Sequence, residues 1–220
     1  ILSWLSDTLH HLGDPIHFSA PEQLLMFIHG GPGVGKSHFA RELISRDPGI
    51  IVCAAPTGIA ASELYRGRTL HDFLGLPTTC ARPKILPPLK ADKAAQLSLR
   101  LDGVRIILID EVSMIDDLLL SWVDQRLQQL LLNSSPFANL GVIMMGDFLQ
   151  LCPVLGPSLF KTALTGATSG GLLFRKFKLY TFTQQMRAAE DSIHTANINL
   201  FRTNPNPVTS AFLSSLKPLT

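Results

Sequence analysis

Gly30-Gly31-Pro32-Gly33-Val34-Gly35-Lys36-Ser37 fits the pattern G-x-x-x-x-G-K-[ST] in full, with Gly30, Gly35, Lys36 and Ser37 at the fixed places. The apolar run Leu24-Leu25-Met26-Phe27-Ile28 before it reads as a buried strand, and His38-Phe39-Ala40-Arg41-Glu42-Leu43-Ile44 after it reads as the start of a helix. Glycine lets a backbone fold around an anion with no side chain in the way. The N–H groups of such a loop, and of the helix that follows, face the phosphates. Gly31, Pro32, Gly33, Val34 and Gly35 would therefore cradle ATP, Lys36 would reach its β- and γ-phosphates, and Ser37 would ligate Mg²⁺. The alternative is a plain glycine-rich turn, and the agreement of strand, loop and helix argues against it.

Three more apolar runs, at 50–54, 104–109 and 140–145, are rich in Ile, Val, Leu or Met and nearly free of charge. Strands buried on both faces of a parallel sheet look like this. Helical patterns lie between them at about 38–45, 58–65 and 115–132, and the last has Asp116 and Asp117 in its first turn, where negative charge suits the helix dipole. The alternation predicts an α/β fold with a mostly parallel sheet and helices on both faces. Prolines mark 77–89 as a loop and 203–207 as a second break.

Composition sets outer limits. The chain has 220 residues, 46% of them hydrophobic and 16% charged, which suits a substantial core and excludes a disordered tail. A net charge of +2 is compatible with nucleic acid without pointing to it. Cys53, Cys80 and Cys152 are scattered and lack C-x-x-C spacing, so neither a zinc site nor a disulfide framework is expected, and the default compartment is reducing. No basic, apolar leader opens the chain, and no run of about 20 apolar residues would span a membrane. The start at Ile1, without Met, is expected of a piece of a longer protein.

The strand 104–109 ends in Asp110-Glu111. In ATPases with this phosphate loop, such a strand tip places an Asp near the metal, and the adjacent Glu can orient and deprotonate the attacking water. The alternative for the pair is an acidic helix N-terminus.

Further segments narrow the class. Ala54-Ala55-Pro56-Thr57-Gly58-Ile59-Ala60-Ala61 follows the second apolar run, and Gly67-Arg68-Thr69-Leu70-His71-Asp72-Phe73 comes soon after. The acidic motif extends as Asp110-Glu111-Val112-Ser113-Met114, and Gly146-Asp147-Phe148-Leu149-Gln150-Leu151-Cys152-Pro153-Val154 follows the fourth run. With the phosphate loop, these resemble motifs I, Ia, II and III of the Pif1-like DNA helicases of superfamily 1, a group that includes the helicase part of Helitron transposases. The match in order and spacing covers about 24–154, and Thr183-Gln184-Gln185-Met186-Arg187 resembles motif IV.

The resemblance implies a RecA-like P-loop NTPase domain, ATP hydrolysis with Mg²⁺, and 5′ to 3′ movement on single-stranded DNA and at forks. It implies roles in repair, recombination, telomere maintenance or transposition. The catalytic set would be Lys36, Asp110, Glu111, Gln150 and Arg187, with Ser37 and Asp110 on the metal. Gln150 would sense the γ-phosphate, Asp147 would support the metal-side network, and Arg187 would act as an arginine finger. Thr57, Gly58 and His71 would lie at the DNA, with Phe73 nearby. Thr57 also suits a helix N-cap, His71 a structural histidine, Phe73 core packing, Gln150 a solvated loop and Arg187 a surface position. His10, His11, His29 and His38 show no metal spacing and receive no chemistry.

The expected division is an N-terminal lead-in at 1–23, RecA-like motor domain 1A at 24–182, and the start of an incomplete second RecA-like domain at 183–220. The missing C-terminal helicase half would lie in the full-length protein. The expected compartment is intracellular, the nucleus in a eukaryote with the mitochondrion as alternative. Departures from the family pattern are Cys152 where Pro is usual, Ala188 where Gln is usual, no basic signature after Met114, and no adenine-reading glutamine before Leu24, Gln23 being too near the strand. Two other readings are a non-hydrolysing nucleotide- or DNA-binding relic or regulatory module, and an ATPase that moves no nucleic acid.

Overall fold

Strands β1 (Leu25–Gly30), β2 (Ile51–Ala55), β3 (Arg68–Thr69), β4 (Ile106–Ile109), β5 (Gly141–Gly146) and β6 (Lys178–Phe182) form one sheet in the order β3-β2-β4-β5-β1-β6. Every adjacent pair is parallel. This is a computed structural model, and it describes residues 23–78, 82–166, 168–184 and 186.

The absence of polar alternation in the strands has a direct cause. Leu25, Phe27, Ile107, Ile109, Val142 and Met144 point into one core, while Leu24, Met26, Ile28, Ile106, Leu108, Ile143 and Met145 point into another on the opposite face. The second core is closed by α1 (Lys36–Arg46) and α2 (Gly58–Ser62), through Phe39, Leu43, Ile44 and Ala61. The first is closed by α3 (Leu70–Leu74), α4 (Ala91–Arg100), α5 (Asp117–Leu131), α6 (Leu159–Thr165) and α7 (Ser169–Phe174). The α/β expectation, with helices on both faces, therefore holds.

Boundaries differ in detail. The helix expected at 58–65 ends at Ser62, because the chain must turn to enter β3 beside Ala54 and Ala55. Helices α3, α4, α6 and α7 and strands β3 and β6 were not foreseen; all but α4 are seven residues or shorter, too brief to show a period. The segment expected as a loop at 77–89 carries no helix or strand where it is described. It is gripped by α5: Trp122 Nε1 donates to Pro83 O (2.8 Å), Gln125 Oε1 accepts from Leu86 N (2.8 Å), and Gln129 Nε2 donates to Leu86 O (3.2 Å). Gln23 donates to Pro136 O and Leu140 O, a tie at the entry to β1.

Candidate functional site: a nucleotide cleft at the carboxyl ends of the strands

In an open parallel sheet, ligands bind in the crevice beyond the carboxyl ends of the strands. The segments after β1, β4 and β5 converge there on one cleft of about 420 Å³, lined by Lys36, Ser37, Asp110, Glu111 and Gln150. Five residues spread over 115 positions of sequence are thus brought together by the strand order alone.

The phosphate loop is shaped by its glycines. Gly35 is the N-cap of α1 at φ 92, a left-handed conformation that side chains rarely adopt, and no side chain caps the helix. The first N–H groups of α1 are left without a capping side chain at the cleft. Lys36 Nζ donates to Gly30 O (2.8 Å) and Gly31 O (3.0 Å), which folds the ammonium back over its own loop. Met186 N donates to Gly33 O (2.9 Å), so the segment after β6 also touches this loop.

The acidic pair sits in an unusual turn. Glu111 has φ 54 and ψ 48, left-handed for a residue with a side chain, and its N–H donates to Asp110 Oδ1 (2.9 Å). Such a conformation costs about 1–3 kcal/mol and persists only where the surroundings enforce it. The residue that follows is packed against β5: a Cβ on Gly146 would lie 2.7 Å from Val112 Cγ1 and 2.8 Å from Val112 N, so only glycine lets the two segments touch. Burial, opposed by the Glu111 N–H and by Lys36, holds the Asp110 carboxyl above the usual aspartate range. Burial, and then the charge of Asp110, does the same to Glu111. The alternative of an acidic helix N-terminus is met only as a single 3₁₀ turn, Val112–Met114, with Glu111 as its N-cap.

Asp147 is fully buried, its Oδ1 accepting from Leu149 N (3.1 Å), with His29 Nε2 at 3.4 Å. Gln150 N donates to Asp147 O (2.9 Å), which sets the turn that presents Gln150 to the cleft. His29, which receives no chemistry from the sequence, is the penultimate residue of β1 and faces this buried carboxylate; its place directly before Gly30 was the available signal. Arg41, His38 and Glu63 also line the cleft and were not singled out.

The candidate DNA residues lie outside this cleft, at the neighbouring carboxyl ends of β2 and β3. Thr57 caps α2, its Oγ1 accepting from Ala60 N (3.2 Å), so the N-cap reading holds. Gly58 is exposed. His71 is half-buried in α3, and burial, then the charge of Arg82, lowers its pKa. Phe73 is buried core. Arg187 lies outside the described residues, as do 1–22 and most of 183–220. Cys53 is buried beside Asp110, and burial pushes its thiol up to about 11, so it is no nucleophile.

Among the described residues, no three His, Cys, Asp or Glu side chains are grouped to hold a metal ion. The hydroxyl of Ser37 and the carboxyl of Asp110 do fit Mg²⁺, which takes one or two protein oxygens and completes its shell with phosphates and water. No helix among the described residues is long and apolar enough to cross a membrane.

Comparison with known proteins gives a consistent picture. The family model described as PIF1-like helicase matches residues 14–204. The chain is 34% identical over 135 residues to the ATP-dependent DNA helicase PIF1 of Candida albicans, a match covering 59% of this chain and 15% of that protein. It is 36% identical over 130 residues to the ATP-dependent DNA helicase Pif1 of Bdellovibrio bacteriovorus, covering 59% and 29%. Among solved structures, Bacteroides Pif1 bound to single-stranded DNA superposes with a TM-score of 0.68 at 28% identity, covering 90% of this chain and 47% of that one. Bacteroides Pif1 with ADP-AlF3 and single-stranded DNA gives 0.68 at 26%, covering 96% and 48%. The chain thus spans about half the length of these solved relatives and less of the curated ones.

Proposed function

Because the chain belongs to the PIF1-like helicase family, we propose that it forms the nucleotide-hydrolysing motor domain of an ATP-dependent DNA helicase that runs 5′ to 3′ on single-stranded DNA and opens forks. The observation that carries this reading is the convergence of Lys36, Ser37, Asp110, Glu111 and Gln150 on one cleft. The completeness of that set supports a working site over a relic.

The roles follow from chemistry. The loop N–H groups and the start of α1 bind the phosphates. Lys36 exchanges its carbonyl partners for phosphate oxygens and neutralises charge on the transferred group. Mg²⁺, held by Ser37 and Asp110, supplies further charge neutralisation when bound. Glu111 takes a proton from the water whose oxygen attacks the γ-phosphorus as the bond to the β-phosphate oxygen breaks. Its raised pKa makes it a better base at neutral pH than an ordinary glutamate. Gln150, one turn beyond buried Asp147, is placed to report the γ-phosphate. Thr57, Gly58 and His71 contact the strand, through hydroxyl, backbone and ring N–H donors to phosphate. Arg187 completes the charge on the γ-phosphate, in concert with a C-terminal helicase half in the full-length protein.

The test is calorimetry on Lys36→Ala. Mg-ATP affinity should fall at least tenfold, about 1.4 kcal/mol. Unchanged affinity would remove the assignment of this loop.

A further inference from the structure

A second groove, of about 690 Å³, opens at the β3 side of the sheet, away from the nucleotide cleft. Two-residue β3 pairs with β2 only at Ala54 and Ala55, so the earlier part of β2, paired with β4 on its other side, has no strand on this edge, and Val52 and Cys53 line the groove. Around it stand Tyr65, Arg66, Arg68 and Arg100, and no carboxylate is among the described lining residues.

These groups are available for a ligand. The Arg66 guanidinium lies over the Tyr65 ring, 5.4 Å from its centroid, and Tyr65 is 54% exposed. Arg66 itself sits at φ 51, a costly conformation for a side-chain residue. Arg68 Nη1 meets Asp72 Oδ2 at 3.0 Å, and Arg100 Nη1 lies 3.8 Å from the same oxygen. Asp72 and Arg68 are both more than half exposed, and exposed pairs of this kind hold little energy. Arg68 can therefore trade its carboxylate for a phosphate, and Arg100, held at 3.1 Å by the Asp72 backbone carbonyl and 28% exposed, keeps that bond and turns its remaining N–H groups to the groove.

We propose that this groove is a second nucleic-acid contact, in which Arg66, Arg68 and Arg100 hold phosphates and Tyr65 stacks a base of a strand running on from Thr57 and His71. The inference rests on the helicase reading. Two features favour nucleic acid over an acidic peptide. An exposed aromatic ring beside guanidinium groups is the usual platform for a single-stranded base. Arg68 also stands only three residues from His71, on the segment that leads from β3 into α3, so the groove continues the DNA path already assigned.

The test uses the 220-residue chain and oligo-dT of about 8 and about 30 nucleotides, the first within and the second beyond the roughly 4–16 nucleotides of a usual single-strand site. Changing Arg66, Arg68 and Arg100 together to Gln should weaken the long oligonucleotide about tenfold and leave the short one unchanged. The log–log salt slope for the long one should flatten by about two, at roughly 0.7 per phosphate contact. Tyr65→Ala should weaken the long oligonucleotide with no change of slope. Arg66→Gln alone disturbs no ion pair, and it should show a smaller loss in the same direction. Variants that bind both lengths like the wild type would discard the groove while leaving the helicase reading intact. A wild type that binds Mg-ATP but no oligonucleotide would discard both. Displacement of the long oligonucleotide by poly-glutamate at equal charge would reassign the groove to an acidic peptide.

Discussion

Glu111→Gln, in a longer form of the protein that carries the C-terminal half proposed above, should lower DNA-stimulated ATP turnover by about 10²–10⁴-fold, the range a general base supplies. Mg-ATP affinity should stay, because the amide keeps the shape of the carboxylate and loses only its capacity to take a proton. Single-turnover hydrolysis with bound ATP is the measurement, and wild-type turnover would dismiss Glu111 as the base. A second readout has a fixed sign. Burial and Asp110 raise the Glu111 pKa in the empty cleft. The same shift means that the ionised side chain fits the fold less well than the unfolded chain. Stability therefore falls as pH rises from the ordinary glutamate value through the raised one. Gln removes that cost, so the variant should melt no lower than the wild type at neutral pH. A site that has gained stability and lost turnover is what a functional strain predicts.

Asp116→Ala should have the largest effect on stability away from the cleft, about 3–5 kcal/mol, the usual result of breaking a buried pair by removing one partner. Asp116 is 4% exposed. Its two oxygens accept from both Nη atoms of Arg82, and Oδ1 also accepts from Leu119 N (2.8 Å) as the N-cap of α5. Arg82 in turn donates to Leu155 O (3.0 Å) and lies 5.5 Å from the Trp122 ring centroid. One carboxylate thus fastens the loop after α3, the start of α5 and the segment after Gln150. Asp116→Asn should lose less, since the amide oxygen can still cap. Urea unfolding of both variants is the check, and a loss under about 1 kcal/mol for Asp116→Ala would show that the pair is dispensable.

The sequence made the cleft legible because its parts are local. The phosphate loop is eight consecutive residues, and Asp110-Glu111 follows a strand readable as an apolar run. The four central strands, β1, β2, β4 and β5, were visible for the same reason, since burial on both faces leaves few polar positions. Asp117 shows where local reading stops. It was assigned to a helix dipole, but its Oδ1 also accepts from Thr168 Oγ1 and from Gly171 N (2.7 Å), tying α5 to α7 more than fifty residues away. No spacing rule could find that bond. His29 beside Asp147 is the same kind of case, because the contact depends on β1 and β5 being neighbours in register. The close approach of Val112 to Gly146 was also hidden, because Gly146 is on another strand.

On the proposed reading the cleft must let go of its nucleotide as often as it takes it up. In this structure Lys36 already has the Gly30 and Gly31 carbonyls as partners. When phosphate departs, the ammonium has these oxygens to return to, and the cleft is not left with a bare cation that would pull the product back. Nucleotide binding is then an exchange of one set of oxygens for another. The loop carries its own occupant for the emptied stage of each cycle, which keeps that stage from becoming a trap.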